Sequence, residues 1–288
     1  MSFRGLHNLR RHYAGQAGQL VNDFYVPVLS EAVRYDRQAG FFDSASLVQL
    51  ASGLAAFIRQ QRALFDRPDR LNRPPMRLIT GATWSPGDIA AYQRGLGALR
   101  ESLNGTLVRH FEPSDEECLR LGLPAGWRPE EDDIARNRIG ALAWMVANGI
   151  LEVRIALPLD PDGRPYRPGR HGALYHPKSG ILYDADGLML SFQGSVNETG
   201  AAWVRNREKF EVKRSLLNSR RSGTVVIPDC WFFSFPRPSG NVCSSSSRRM
   251  DRQTPIPWNP TMWIESWTLW IAPGPSGSWM LPANPAEK

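Results

Sequence analysis

The side chains best suited to chemistry fall in one stretch of the chain. It reads Tyr175-His176-Pro177-Lys178-Ser179-Gly180, then Gln193-Gly194-Ser195-Val196-Asn197-Glu198-Thr199, then Asn206-Arg207-Glu208. His176 and Lys178 stand two apart in a segment of strand composition, 173–183, which directs both side chains to one face. The Asp184 to Gly187 connection favours a hairpin with a second strand over 188–193. That return places Gly194 and Ser195 beside His176 and Lys178. Asn197 is expected at or near the N-terminus of a short helix over 197–205. An imidazole, an ammonium, an amide and backbone N–H groups thus converge, a set suited to phosphoryl chemistry. An imidazole can attack phosphorus or protonate a leaving oxygen. Lys and Asn can stabilise charge on non-bridging oxygens, and a helix N-terminus attracts anions. Gly194 would leave room for a phosphate to approach the backbone. Glu208 could orient the imidazole and fix its tautomer.

Plainer roles stand beside these. H-x-K on an exposed strand also reads as a polar edge, Asn197 as an N-cap, and Glu208 as an ion-pair partner of Arg205 or Lys209. Arg34, Arg37, Arg136 and Arg138 could line a backbone-binding groove or simply belong to a basic surface. Phe41 and Phe42 read as core and pocket wall.

The elements that must hold these groups alternate between helix and strand. Residues 19–33 have helical periodicity, with a kink or break expected at Pro27. A strand follows over 34–42. Ser44 suits the N-cap of a helix carrying Leu47, Leu50, Leu54, Phe57 and Ile58. Residues 76–81 form a short strand, and Ser85-Pro86-Gly87-Asp88 opens a helix with Ser at the N-cap and Pro at N1. Residues 113–133 are acidic and broken by prolines, and read as a lid-like loop. A helix over 134–148 ends at Gly149, a strand covers 151–157, and 209–213 is a last strand. This alternation predicts an α/β layered domain with a mixed central sheet over 1–213.

Composition changes near Arg214. Residues 214–288 are rich in Ser, Pro, Arg and Trp and poor in acids. They read as a tail unable to build a core, either a binding tail or the product of a reading-frame change. The chain has 288 residues, with 35 Lys+Arg against 28 Asp+Glu, a formal net charge of +7. That balance favours polyanionic partners. Three cysteines without zinc-knuckle spacing fit a reducing cytoplasm. The N-terminus has no apolar h-region, and no apolar run approaches the roughly 20 residues that span a bilayer. The expectation is a cytoplasmic protein with no membrane partner. No G-x-x-x-x-G-K-[ST] phosphate loop occurs.

His176-x-Lys178, Gly194-Ser195-x-Asn197 and Glu208, in that order, resemble the signature of the phospholipase D superfamily. Phe24-Tyr25-Val26-Pro27, Arg34-Tyr35-Asp36-Arg37 and Gly40-Phe41-Phe42 resemble a bacterial branch of it, in which the domain stands alone as a predicted nuclease or precedes a DEAD/DEAH-type helicase. The resemblance covers residues 9–213 and implies a layered α/β/α fold. It implies phosphodiester hydrolysis without metal or other cofactor, through a phosphohistidine. His176 would then be nucleophile or general acid, Lys178 and Asn197 would bind phosphate, Ser195 would support that pocket, and Glu208 would orient His176. Asp184 stands one place later than the family's Asp and would belong to the substrate-binding set with Gly194 and Ser195. The chain holds one H-x-K, so a complete site implies a homodimer. The implied partners are nucleic acid, DNA ahead of RNA, and a helicase. A catalytically idle binding module and a lipid phosphodiesterase are the rival readings.

Overall fold

The computed structural model describes residues 2–66, 74–103, 110–158, 174–216 and, for their backbone, 230–233. The chain divides into two units, Met1–Phe235 and Pro236–Lys288; the second lies outside the described residues.

Among the described residues, eight strands form one mixed sheet: β1 (His12–Gln16), β2 (Arg34–Ala39), β3 (Met76–Thr80), β4 (Leu151–Pro158), β5 (Ser179–Tyr183), β6 (Leu188–Gly194), β7 (Arg207–Leu216) and β8 (Cys230–Phe233). Their order is β1-β7-β6-β5-β2-β3-β4-β8. The pairs β2–β3 and β3–β4 are parallel, as helical crossovers require. The other pairs are antiparallel. This is the expected α/β architecture with a mixed central sheet.

The helices are α1 (Ala17–Leu20), α2 (Val26–Glu31), α3 (Ala45–Gln49), α4 (Ala51–Gln60), α5 (Pro86–Leu103), α6 (Asp115–Leu121), α7 (Glu131–Arg136), α8 (Arg138–Ala147) and α9 (Gly200–Val204). Between α1 and α2 runs a π-helical turn, Val21–Tyr25, and Pro27 stands in the first turn of α2. A proline cannot donate to the carbonyl four residues back, and the wider π turn accommodates that loss at the expected break.

Several boundaries differ from expectation. Ser44 makes no side-chain cap; Asp43 caps α3 instead, accepting from Ala45 N at 2.9 Å. The stretch 113–133 is not a bare loop. Ser114 and Glu117 form a reciprocal capping box on α6, and two orphan N–H groups satisfied in this way outweigh the nearby prolines. The helix expected over 134–148 is divided at Asn137 into α7 and α8. The last strand runs to Leu216, because β6 offers partners as far as the Leu188↔Leu216 pair. The start of α5 follows the sequence, with Ser85 Oγ accepting from Asp88 N at 3.1 Å.

Alternation along the strands separates two sheet faces. One carries Tyr13, Phe210, Phe192, Leu182, Tyr35, Leu78 and Val153, all buried in a core shared with the helices. The other presents Lys209, Ser191, Ile181, Gln38 and Ile79, which are exposed or half-buried. On the buried face an aromatic cluster joins Phe24, Tyr25, Phe192, Trp203 and Phe210, with Tyr25 and Trp203 at a centroid distance of 4.2 Å. It lies under the sheet end that holds His176.

Candidate functional site

The parallel strands β2 and β3 end on glycines, and these decide how closely the His176 segment approaches. A Cβ on Gly40 would stand 2.9 Å from His176 Cδ2 and 3.2 Å from its Cα. One on Gly81 would stand 2.7 Å from the Gly40 carbonyl oxygen. Only glycines allow three backbones to meet there. Ligand sites of α/β sheets favour this carboxyl end of parallel strands.

His176 and Lys178 precede β5, in the lead-in to the strand. The ladder still reaches them, because Gly194 N donates to Lys178 O at 3.0 Å. Their side chains share a face as expected: Lys178 Nζ is 2.8 Å from His176 Nε2 and 3.2 Å from the His176 carbonyl oxygen. With Lys178 as an ammonium, which only donates, Nε2 is the acceptor in this contact. His176 is exposed, and its ring meets Phe41 edge-on at 5.9 Å. Burial, then the Arg37 charge, lower the Lys178 pKa, and Glu208 opposes them.

Asn197 comes to this end of the sheet by a route the sequence did not show. Its Oδ1 accepts from Phe41 N at 3.3 Å. The following residue is stitched to the same loop, Glu198 N to Phe41 O at 3.2 Å and Asp43 N to Glu198 O at 2.9 Å. Asn197 is not the N-cap. Thr199 caps α9, accepting from Ala202 N at 3.2 Å, because the Phe42–Glu198 bridge keeps 197–198 extended.

Glu208 is buried beside this group, and its described hydrogen bonds go to Ser195 Oγ and to Asn206 Nδ2, the latter at 3.0 Å. It reaches Lys178 through its charge. Ser195 also ties to Lys209, whose N donates to Ser195 Oγ at 3.1 Å. The room expected at Gly194 is occupied by β7: a Cβ there would fall 2.1 Å from Lys209 O. Asp184 is not brought to the site. It stands at the opposite end of the β5–β6 hairpin, accepting from Leu188 N at 2.7 Å, Asp186 N at 2.9 Å and Phe3 N at 2.9 Å. It closes the turn and pins the N-terminal segment.

Arg37 is the principal residue that sequence reasoning misplaced. Its side chain is 0% exposed, so it lines no groove. Nε donates to Glu198 Oε1 at 2.6 Å, Nη2 to Val196 O at 2.5 Å, and the guanidinium lies 5.0 Å from the Phe192 ring centroid. Nη1 is buried with no hydrogen-bond partner among the described residues. Tyr35 Oη also donates to Glu198, at 3.0 Å. Burial opposes the guanidinium charge, but Tyr35 and Glu198 overcome it and raise the Arg37 pKa. Burial drives the hydroxyl pKa of Tyr25, in the same network, upward. The available signal was the position of Arg37 between Tyr35 and Ala39 on one strand face, with an unassigned acid after Asn197. Among the other groove candidates, Arg34 binds Asp36 at 2.6 Å and Arg136 binds Asp132 at 2.9 Å.

Among the described residues, no three His, Cys, Asp or Glu side chains gather so as to hold a metal ion. No described helix is long and apolar enough to cross a membrane. The arrangement offers an exposed imidazole with a lone pair on Nε2, an ammonium against it, an amide anchored by backbone, and a buried cation beneath.

No protein-family model matches the chain, and no curated protein matches it. Among solved structures it is similar to NucT from Helicobacter pylori, at 10% identity over 70% of this chain and 82% of that one, with a TM-score of 0.34.

Proposed function

We propose that this chain is a phospholipase D-like phosphodiesterase half-site acting on the backbone of nucleic acid, DNA ahead of RNA. The observation that carries this reading is the contact of Lys178 Nζ with His176 Nε2 at 2.8 Å, with Asn197 and the Ser195–Glu208 pair at the same sheet end. A phosphate entering there would draw the ammonium onto a non-bridging oxygen and free the Nε2 lone pair. Nε2 then attacks phosphorus, an N–P bond forms and a P–O bond breaks. The departing oxygen takes a proton from a second imidazole, which the single H-x-K assigns to His176 of a second copy in a homodimer. Water, deprotonated by that same imidazole, next attacks phosphorus and breaks the N–P bond. No redox partner or metal enters this sequence. Glu208 acts through Ser195 and Lys178, and Asn197 donates to phosphate from an amide whose oxygen Phe41 N holds. A helicase partner also belongs to this reading. Arg214–Leu216 extend β7 and Cys230–Phe233 pair with β4, so in this reading these residues belong to the domain rather than to the tail expected over 214–288.

The test is cleavage of labelled single- and double-stranded DNA in EDTA by wild type and His176→Ala. The expected outcome is wild-type cleavage that persists in chelator and falls about a thousandfold or more in the variant. The single H-x-K also supports a second reading, a catalytically idle nucleic-acid-binding module. DNA bound but uncut by a chain that sediments as a monomer would establish that alternative.

A further inference from the structure

A second basic feature lies away from His176. The N-terminal segment and the far part of β7 enclose an open recess of about 700 Å³. Its lining includes Arg4, Arg10, Arg11, Lys213 and Arg214, against the single acid Glu211. Two of these cations are engaged. Arg10 pairs with Asp23 at 2.5 Å and lies over the Tyr13 ring, and Arg214 donates to Phe3 O at 3.4 Å. Glu211 is 3.7 Å from His12 Nδ1. The Arg4, Arg11 and Lys213 side chains are exposed, with no hydrogen bond or ion pair among the described residues.

Unpaired cations around a concave space of this size form an electrostatic trap for phosphate. The recess also shares strand β7 with the candidate site, since Glu211 to Arg214 line it and Glu208 stands at the other end of that strand. Glu208 is at the His176 end of β7, and Lys213 is five residues further on, about 17 Å at a strand rise of about 3.4 Å. Between them Lys209 and Glu211 are exposed on the face that Lys213 shares, opposite to that of Glu208, and Arg207 is exposed just before Glu208. That span corresponds to about five nucleotides of one strand at about 3.4 Å each.

We infer that the recess binds a backbone phosphate of the nucleic-acid strand whose scissile phosphate lies at His176. This rests on the phosphodiesterase reading of that site and adds to it a minimum substrate length. A strand too short to bridge the two positions gains nothing from the recess.

The experiment uses the full chain carrying His176→Ala, so that bound DNA stays intact, with and without Arg4→Gln/Arg11→Gln/Lys213→Gln. Fluorescence anisotropy is read with a labelled 12-nucleotide and a labelled 3-nucleotide DNA across a salt series. The three exposed substitutions are expected to weaken 12-mer binding about tenfold and to lower the slope of log K on log salt by about 2. They are expected to leave 3-mer binding unchanged. Equal 12-mer affinity in the two proteins would overturn the inference, as would equal losses for both DNAs, or no binding of either. Binding to phosphatidylserine vesicles but not DNA, lost in the triple variant, would make the recess a membrane contact and overturn it as well. Cleavage of the 12-mer by the otherwise wild-type chain reports separately on the His176 reading, so the two failures are distinguishable.

Discussion

Asp36 and Arg37 are neighbours on β2, and they face opposite sides of the sheet. On the more open face, Asp36 is gripped by Arg77 through both carboxylate oxygens at 2.6 and 2.7 Å and by Arg34 at 2.6 Å. Those arginines are 40% and 41% exposed, so water shares their charge. On the buried face, Arg37 and Glu198 are 0% and 4% exposed, and one guanidinium nitrogen stays unpaired. Two ionic clusters with similar distances therefore differ in kind. The Asp36 cluster holds a buried carboxylate between two half-exposed arginines, so water still reaches its cations and its loss costs less. The Arg37 pair is dry, adjoins the extended 196–198 segment, and reaches Lys178 by its charge. Proximity to the candidate site, rather than the number of ion pairs, separates their roles.

The comparison can be broken by experiment. Arg37→Met should have the largest effect, about 3–5 kcal/mol of stability in urea unfolding, because it leaves Glu198 buried and uncompensated. The comparison fails if Asp36→Asn costs as much. Arg37→Met with Glu198→Met should be more stable than Arg37→Met alone, giving a coupling of about 2 kcal/mol or more in a double-mutant cycle. Asp36→Asn should cost about 1 kcal/mol, since the amide keeps acceptor and donor sites and the arginines regain water.

Two smaller effects concern protons. The hydrogen bonds from Arg77 and Arg34 outweigh the burial that would raise the Asp36 pKa and hold it below its ordinary value of 3.8. Its stabilising contribution is therefore present above pH 3.8 and lost as pH falls below that value, through the lowered one. Acid unfolding of Asp36→Asn should lack that component. Lys178 loses its proton below the ordinary lysine value of 10.5, through burial and then Arg37. An NMR titration of its ammonium should move upward in Arg37→Met and stay put in Asp36→Asn.

Much of the scaffold was legible because its signals are local. Ser85-Pro86-Gly87-Asp88 caps its helix by contacts within three residues, and the β5–β6 hairpin follows from Asp184 to Gly187, with Gly187 at φ 81°. The His176–Lys178 contact follows from the two-residue period of an extended chain. Long-range partnerships were not legible. Asn197 looked like a cap because Asn caps helices, but the anchor that takes its oxygen, Phe41, is 156 positions away. Asp184 fitted a motif to within one place, yet it serves a turn and the distant Phe3. Arg37 looked like a surface arginine because its counter-charge is 161 residues on. Gly194 was read as open space, and only the β6–β7 register shows what fills it.

The pairing of β1 with β7 has a consequence for biosynthesis. His12 registers with Glu211, so β1 waits for a strand made 199 residues later. At about 5–20 residues per second on the ribosome, that wait is about 10–40 s. Throughout it the basic N-terminal arm lacks its docking edge on β7. The β1–β7 pair therefore forms only after β7 is made, and nascent-chain protease protection of residues 3–16 should appear abruptly once β7 has left the exit tunnel.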